Sequence, residues 1–263
     1  MLISSIEDHV QVNEDFQKSL TAPWRITEIG SGSAVQRPGL FQMKVGLSDI
    51  YSDAQVSDYE SNNFRWMPPL RMSVRARFSA DNLVGTAGFG FWNQPFMPGQ
   101  RGFRLPQAAW FFYSSSPSNM QLARGIPGPG WKAGTIDASR WSFLALAPAA
   151  PLGMLLMRIP ALYHILWPVG QRAIGVSEGL LDAALLVEAH TYLLEWRRSG
   201  ITFSVDGSVV HESPCAPRGP LGFVAWIDNQ YAIVTPQGRF GFGVVPVECE
   251  QSLMLEKVVI ETL

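Results

Sequence analysis

Leu70-Arg71-Met72-Ser73-Val74-Arg75-Ala76-Arg77-Phe78 alternates apolar and polar residues over nine positions. That is the period of a strand with one face in a core and the other in water. Met67-Pro68-Pro69 fixes its entry. Comparable runs recur along the chain. Trp24–Ile29 stops at Gly30-Ser31-Gly32-Ser33, Gly85–Trp92 at Asn93-Gln94-Pro95, and Ala108–Tyr113 at Ser114-Ser115-Ser116-Pro117. Thr191–Trp196 and Ile201–Val205 follow, and Asp206-Gly207 ahead of Val209-Val210 is a two-residue hairpin signal. Leu221–Ile227, Phe240–Val245 and Leu253–Ile260 complete the set. Many short strands with Gly- and Pro-rich turns indicate an antiparallel sandwich or barrel. The expected architecture is mainly β, a two-sheet jelly-roll sandwich in a single domain over residues 1–263.

One stretch breaks the pattern. From Trp141 to Gln171 the only formally charged residue is Arg158, and Pro148, Pro151, Pro160 and Pro168 punctuate the run. Its longest uncharged segment, Trp141–Met157, falls short of the roughly 20 residues that span a bilayer, so no transmembrane segment is expected. Leu152–Ile159 and Ala161–Trp167 read as short helices separated by Pro160, and Val176–Glu188 as another with Ser177 as its cap. Residues 142–187 are therefore expected to form an apolar, mostly helical insertion within the sandwich. Burying four leucine-sized side chains is worth roughly 6–12 kcal/mol, so this stretch is expected to find cover, for instance as a lid over one sheet face. Peripheral membrane contact is disfavoured, because interfacial helices carry Lys and Arg and this window holds one arginine.

Composition narrows the function classes. With 47% hydrophobic and 16% charged residues the chain is charge-poor against a usual share of about 25%, yet apolar enough to exclude disorder. A net charge of −2 and pI ≈ 6.1 give no basic field for nucleic acid. Two cysteines, Cys215 and Cys249, are too few for a disulfide framework, and whether they pair is open. No metal is expected, since His211 has no second ligand at zinc-like spacing. No cofactor is expected either, because phosphate loop, dinucleotide fingerprint and Gly-x-Ser-x-Gly elbow are all missing. Met1–Phe16 lacks the basic start and apolar run of a secretory signal, so a cytoplasmic location is the default expectation.

His190-Thr191-Tyr192-Leu193-Leu194-Glu195-Trp196, followed by Ile201-Thr202-Phe203-Ser204-Val205-Asp206-Gly207, resembles the concanavalin A-like lectin and glucanase superfamily, especially glycoside hydrolase family 16. Phe89-Gly90-Phe91-Trp92 is similar to the family strand that ends in a tryptophan near the glycan groove. The resemblance implies two curved sheets with ligands on the concave face. It also implies a Glu, Asp, Glu alternation on one strand, supplying two carboxylates about 5–5.5 Å apart for retaining hydrolysis. Here the corresponding strand, Gln107–Tyr113, holds no carboxylate, and no Asp or Glu occurs between Asp81 and Asp137. Family-type hydrolysis at that strand is not expected. Glu195, within the Glu-Trp pair, reads as a structural sheet residue.

Aromatics then carry the ligand expectation. Trp92, Trp110 and Trp226 are the candidates for the concave face, with Asn93 and Tyr113 beside them and Asp228 and Asn229 on the groove rim. Arg158 and His164 are candidate polar handles in the apolar insertion, where a lone charge needs a partner or water. Asp182 and Glu188 are possible partners for Arg158. The leading expectation is a ligand-binding jelly roll without family-16 catalysis, with the ligand class open and an apolar small molecule under the 142–187 lid as one candidate. A lectin-like carbohydrate module and an enzyme of another type on a hydrophobic small molecule are the alternatives. The sequence leaves the oligomeric state open.

Overall fold

The computed structural model describes residues 10–60, 63–94 and 104–263. Strands are numbered here in chain order. One sheet has the order β13 (Ser208–Ser213), β12 (Gly200–Val205), β11 (His190–Arg197), β6 (Leu70–Phe78), β17 (Gln251–Thr262), β4 (Leu40–Val45) and β3 (Gly32–Arg37), with β1 (Val10–Glu14) also on β17. The second has the order β10 (Ser177–Leu180), β9 (Gly130–Asp137), β8 (Gln107–Ser114), β7 (Thr86–Trp92), β14 (Gly222–Asp228), β5 (Asp53–Ser57) and β2 (Arg25–Ile29). A hairpin, β15 (Gln230–Val234) with β16 (Phe240–Val244), stands apart. The two sheets form an antiparallel jelly-roll sandwich.

Alternation explains which residues meet between the sheets. Met72, Val74 and Ala76 of β6 face inward with Tyr192, Leu194 and Trp196 of β11, all buried. From the other sheet come Phe89 and Phe91 of β7, Phe111 of β8, Trp131 of β9 and Phe223 of β14. Aromatic rings lock the two layers together. Phe111 lies 5.1 Å from Tyr192 and 5.3 Å from Phe203 on β12, and Phe91 lies 5.5 Å from Trp196. Long β17 keeps its apolar side inward by a register shift between Leu255 and Lys257. One extra residue there moves the inward set from Leu253 and Leu255 to Val258 and Ile260, correcting the parity.

The insertion differs from expectation in two respects. Its helices are α1 (Trp141–Leu146), α2 (Ala150–Leu156) and α3 (Pro160–Ile174), with Pro160 in the first turn of α3, where a missing N–H costs nothing. Val176–Glu188 is not a helix. Gly175 ends α3 in the left-handed region (φ 66°), and the chain leaves extended as β10, which pairs with β9 from Ser177↔Thr135 to Leu180↔Lys132. A short 3-10 turn at Ala183–Leu186 follows, capped by Asp182, which accepts from the Ala184 N–H at 3.0 Å. The second difference is cover. Leu152, Leu155, Ile159 and Ile165 are exposed, and of the insertion Val176 and Glu178, beyond α3, line the space beside Trp110. Trp167 donates its indole N–H to the Leu122 carbonyl at 2.8 Å, and Met154 lies against Gly238.

Candidate functional site

The three tryptophans singled out in the sequence lie on one face, the outer face of the second sheet. Trp110 and Trp226 have ring centroids 5.4 Å apart, Trp92 and Trp110 6.1 Å, and Trp92 and Trp226 6.3 Å with planes 6° apart. Phe112 extends the cluster, 5.6 Å from Trp110. The register makes this possible. Trp226 of β14 is opposite Gly88 of β7, which is opposite Phe112 of β8; Trp110 is opposite Gly90; and Trp92 lies between Gly222 and Ala108. Each large ring thus has a small neighbour on the next strand to lean over. A Cβ at Gly88 would lie 3.0 Å from the Trp226 ring, and one at Gly90 would lie 2.6 Å from the Trp110 Cβ. Gly90 also has φ +152°, a region that side-chain-bearing residues rarely adopt.

Two of the indoles are held by their N–H groups. Trp92 donates to the Tyr59 hydroxyl. Trp226 donates to Thr86 Oγ1 at 2.9 Å, and that hydroxyl donates in turn to Asp228 Oδ1 at 2.8 Å. The segment after β5 walls one side, where buried Tyr59 and Phe64 pack with Val224 against Trp92 and Trp226. Met120 and Leu122 wall the other side, beside Trp110, Phe112 and Ile136, leaving a partly open space of about 60 Å³. All three tryptophans remain partly exposed between these walls.

Titratable groups flank the rings at both ends. Asp228 is directly opposite Asp53 of β5. Burial raises Asp53 to about 8, with the Asp228 charge adding to the effect and a hydrogen bond from Tyr51 opposing it. Burial likewise raises Asp228 to about 7, against the hydrogen bonds it accepts from Thr86 and the Gln230 N–H. Across the sheet, fully buried Lys132 lies 3.4 Å from Glu178. Desolvation pushes the lysine down and the glutamate up, while each charge pulls the other back toward its ionised form.

Other residues expected at the site lie away from it or are engaged elsewhere. Asn93 is committed to backbone, donating to the Leu105 carbonyl at 2.8 Å and accepting from the Gln107 N–H at 3.0 Å. Tyr113 sits on the opposite face from Trp110 and donates to the Leu83 carbonyl at 3.1 Å. Asn229 is not on a rim. It is fully buried, accepting from the Ser52 N–H and donating to the carbonyls of Ile50 and Val245. Arg158 and His164 do not sit in an apolar pocket, because the helices bearing them leave that surface in solvent and both residues are exposed. Arg158 reaches the Gln237 carbonyl at 3.5 Å rather than Asp182 or Glu188. Glu195 is ion-paired with Arg71, as a structural sheet residue would be. Tyr59, Phe64, Thr86 and Asp53 were not anticipated. Gly88-Phe89-Gly90-Phe91-Trp92 was the available signal, since its alternate glycines mark where neighbouring rings lie down.

No family model and no curated protein matches the chain. Solved structures do. An endo-β-galactosidase from Clostridium perfringens, described as releasing GlcNAcα1-4Gal, aligns over 98% of this chain and 64% of its own, with TM-score 0.56 and 10% identity. A structure described with endo-acting O-glycanases of the human gut microbiota aligns over 97% and 99%, with TM-score 0.55 and 10% identity. The Emp47p carbohydrate recognition domain aligns over 98% and 99%, with TM-score 0.51 and 11% identity. At such identities the likeness is one of fold, and that fold is the concanavalin A-like sandwich that the His190–Gly207 segment resembles.

Proposed function

We propose that this protein binds a carbohydrate on the outer face of its second sheet, without family-16 hydrolysis. The observation that carries the reading is the packed trio Trp92, Trp110 and Trp226, partly exposed on a bed of small residues. Flat, rigid ring faces offer the C–H faces of sugar rings a large contact at little entropic cost, and ligand sites favour such aromatic linings. The neighbours in fold include proteins whose descriptions name glycans and carbohydrate recognition. Strand β8, Gln107–Ser114, has no carboxylate on either face. Asp53 and Asp228 are no substitute, since both are buried and Asp228 holds Trp226 through Thr86.

An apolar small molecule under the insertion has less support. The space beside Trp110 is about 60 Å³, against roughly 300–1,000 Å³ for small-molecule pockets, and a larger, shallow space of about 470 Å³ along Asp81–Val84 and Tyr113–Ser116 meets the insertion at Ala183 alone among its lining residues. A glycan array followed by tryptophan-fluorescence titration tests the proposal. Binding should appear for at least one oligosaccharide class and weaken about tenfold or more in Trp110→Ala, the energy of one lost aromatic contact. An array with no bound glycan, or binding untouched by Trp92→Ala, Trp110→Ala and Trp226→Ala, refutes it. Release of new reducing ends from a bound glycan would refute the non-hydrolytic part.

A further inference from the structure

We infer that α1–α3 and the β15–β16 hairpin form a docking face for an anionic lipid surface. Ten of the twenty large hydrophobic side chains exposed among the described residues lie on 141–169 or on β16. Leu152 is 61% exposed, Leu155 57% and Ile165 67%, while Phe240 and Phe242 are 62% and 65% exposed. Their elements adjoin. A Cβ on Gly238 would lie 3.3 Å from the Met154 Cβ, and Arg158 Nε is 3.5 Å from the Gln237 carbonyl. Ile165 and Val169 are one turn apart on α3, and Phe240 and Phe242 alternate on β16, so each element shows its apolar residues on one side. Apolar surface left exposed on this scale marks an interaction site.

Charge selects the occupant. No Asp or Glu occurs from Ala138 to Ser177 or from Asn229 to Val247. Arg158, Arg172 and Arg239 are exposed on these elements, and so is Arg124, whose backbone N–H bonds Gln171 of α3 at 3.1 Å. None of the four joins an ion pair among the described residues. The linear window from Trp141 to Gln171 showed one arginine; folding gathers three more around the same apolar surface. The chain as a whole is −2, so this face is set apart in sign from the rest. A two-fold contact with a second copy would bring arginines together with no carboxylate between them. An anionic bilayer supplies both the apolar phase and the countercharge. No helix among the described residues is long and apolar enough to cross a membrane, so the face would lie in the interface.

Vesicle co-sedimentation of the full chain tests this. Phosphatidylcholine vesicles are compared with vesicles containing about 30% phosphatidylserine, since each arginine near an anionic surface adds roughly fivefold to partitioning. Binding should favour the anionic vesicles at least tenfold and fall with added salt. The exposed pair Leu152→Asp/Leu155→Asp should lower it about a hundredfold with an unchanged circular dichroism melt, and Arg158→Glu/Arg239→Glu should lower it on anionic vesicles alone. Trp110→Ala, which weakens the proposed glycan site, should leave vesicle binding unchanged. Equal or absent binding to both vesicle types overturns the inference. So does a dimer seen by sedimentation equilibrium that Leu152→Asp/Leu155→Asp dissociates, which would assign the face to a second copy.

Discussion

Replacing Asp53 with asparagine should remove a large part of the protein's loss of stability toward neutral pH. In the folded chain Asp53 is held at about 8, against an ordinary value of 3.8, chiefly by burial beside β14. Between those values the unfolded chain has released the proton and the folded chain has kept it. The unfolded state binds fewer protons, so stability falls as pH rises. The contribution is fully present below about pH 4 and lost as pH climbs through about 8. The slope is about 1.4 kcal/mol per pH unit, which gives about 2–3 kcal/mol for Asp53 between pH ~5 and pH ~7. Asp228, raised to about 7, acts in the same sense. His211 opposes them, because burial lowers it and favours the neutral ring, so its contribution grows with pH. The informative quantity is therefore the difference between wild type and Asp53→Asn in urea unfolding. That difference should move by about 2–3 kcal/mol in the variant's favour from pH ~5 to pH ~7. A difference constant within about 0.5 kcal/mol would refute the burial argument.

Two further outcomes follow from buried groups. Lys132→Met should cost about 3–5 kcal/mol by stranding Glu178, whereas Lys132→Met/Glu178→Leu should return close to wild-type stability, both read by urea unfolding. Cys215 is buried and Cys249 exposed, both as free thiols. A thiol reagent should titrate Cys249 at once in the native protein and Cys215 only after denaturant is added; a native protein with no reactive thiol would contradict this.

Strand-by-strand legibility in the sequence follows the locality of the physics. Leu70–Phe78 reads as a strand because its alternation is complete, and β6 has those bounds. Strand β4, Leu40–Val45, alternates as cleanly in its burial and was overlooked, although Phe41, Met43 and Val45 carry the same local signal. Strand β9 was not legible, since Lys132 sits within it fully buried, and the charge that permits this, Glu178, lies 46 residues on. Strand β5 hides likewise behind Asp53 and Ser57, polar residues buried against β14 and β2. Strand alternation separates Trp110 and Phe112 from Tyr113, so local parity was enough to keep Tyr113 off the tryptophan face. It could not bring Trp226 beside Trp92, because nothing local says that β14 pairs with β7. The insertion misled for the opposite reason: its apolar residues imply burial, and the folded chain leaves many of them uncovered.

Strand β17 has a consequence for how the chain must be made. It lies between β6 and β4 and also receives β1, so the middle of the first sheet is completed by residues that leave the ribosome after every other strand. Gln42 on β4 waits for Ser252, 210 residues later. At roughly 5–20 residues per second that is an interval of about 10–40 s. During it β4 and β6 present open hydrogen-bonding edges and the aromatic interior lacks one of its walls. Synthesis of this sandwich thus passes through a long-lived, unclosed nascent chain, whose yield is set by how well those edges are shielded before residues 251–262 arrive.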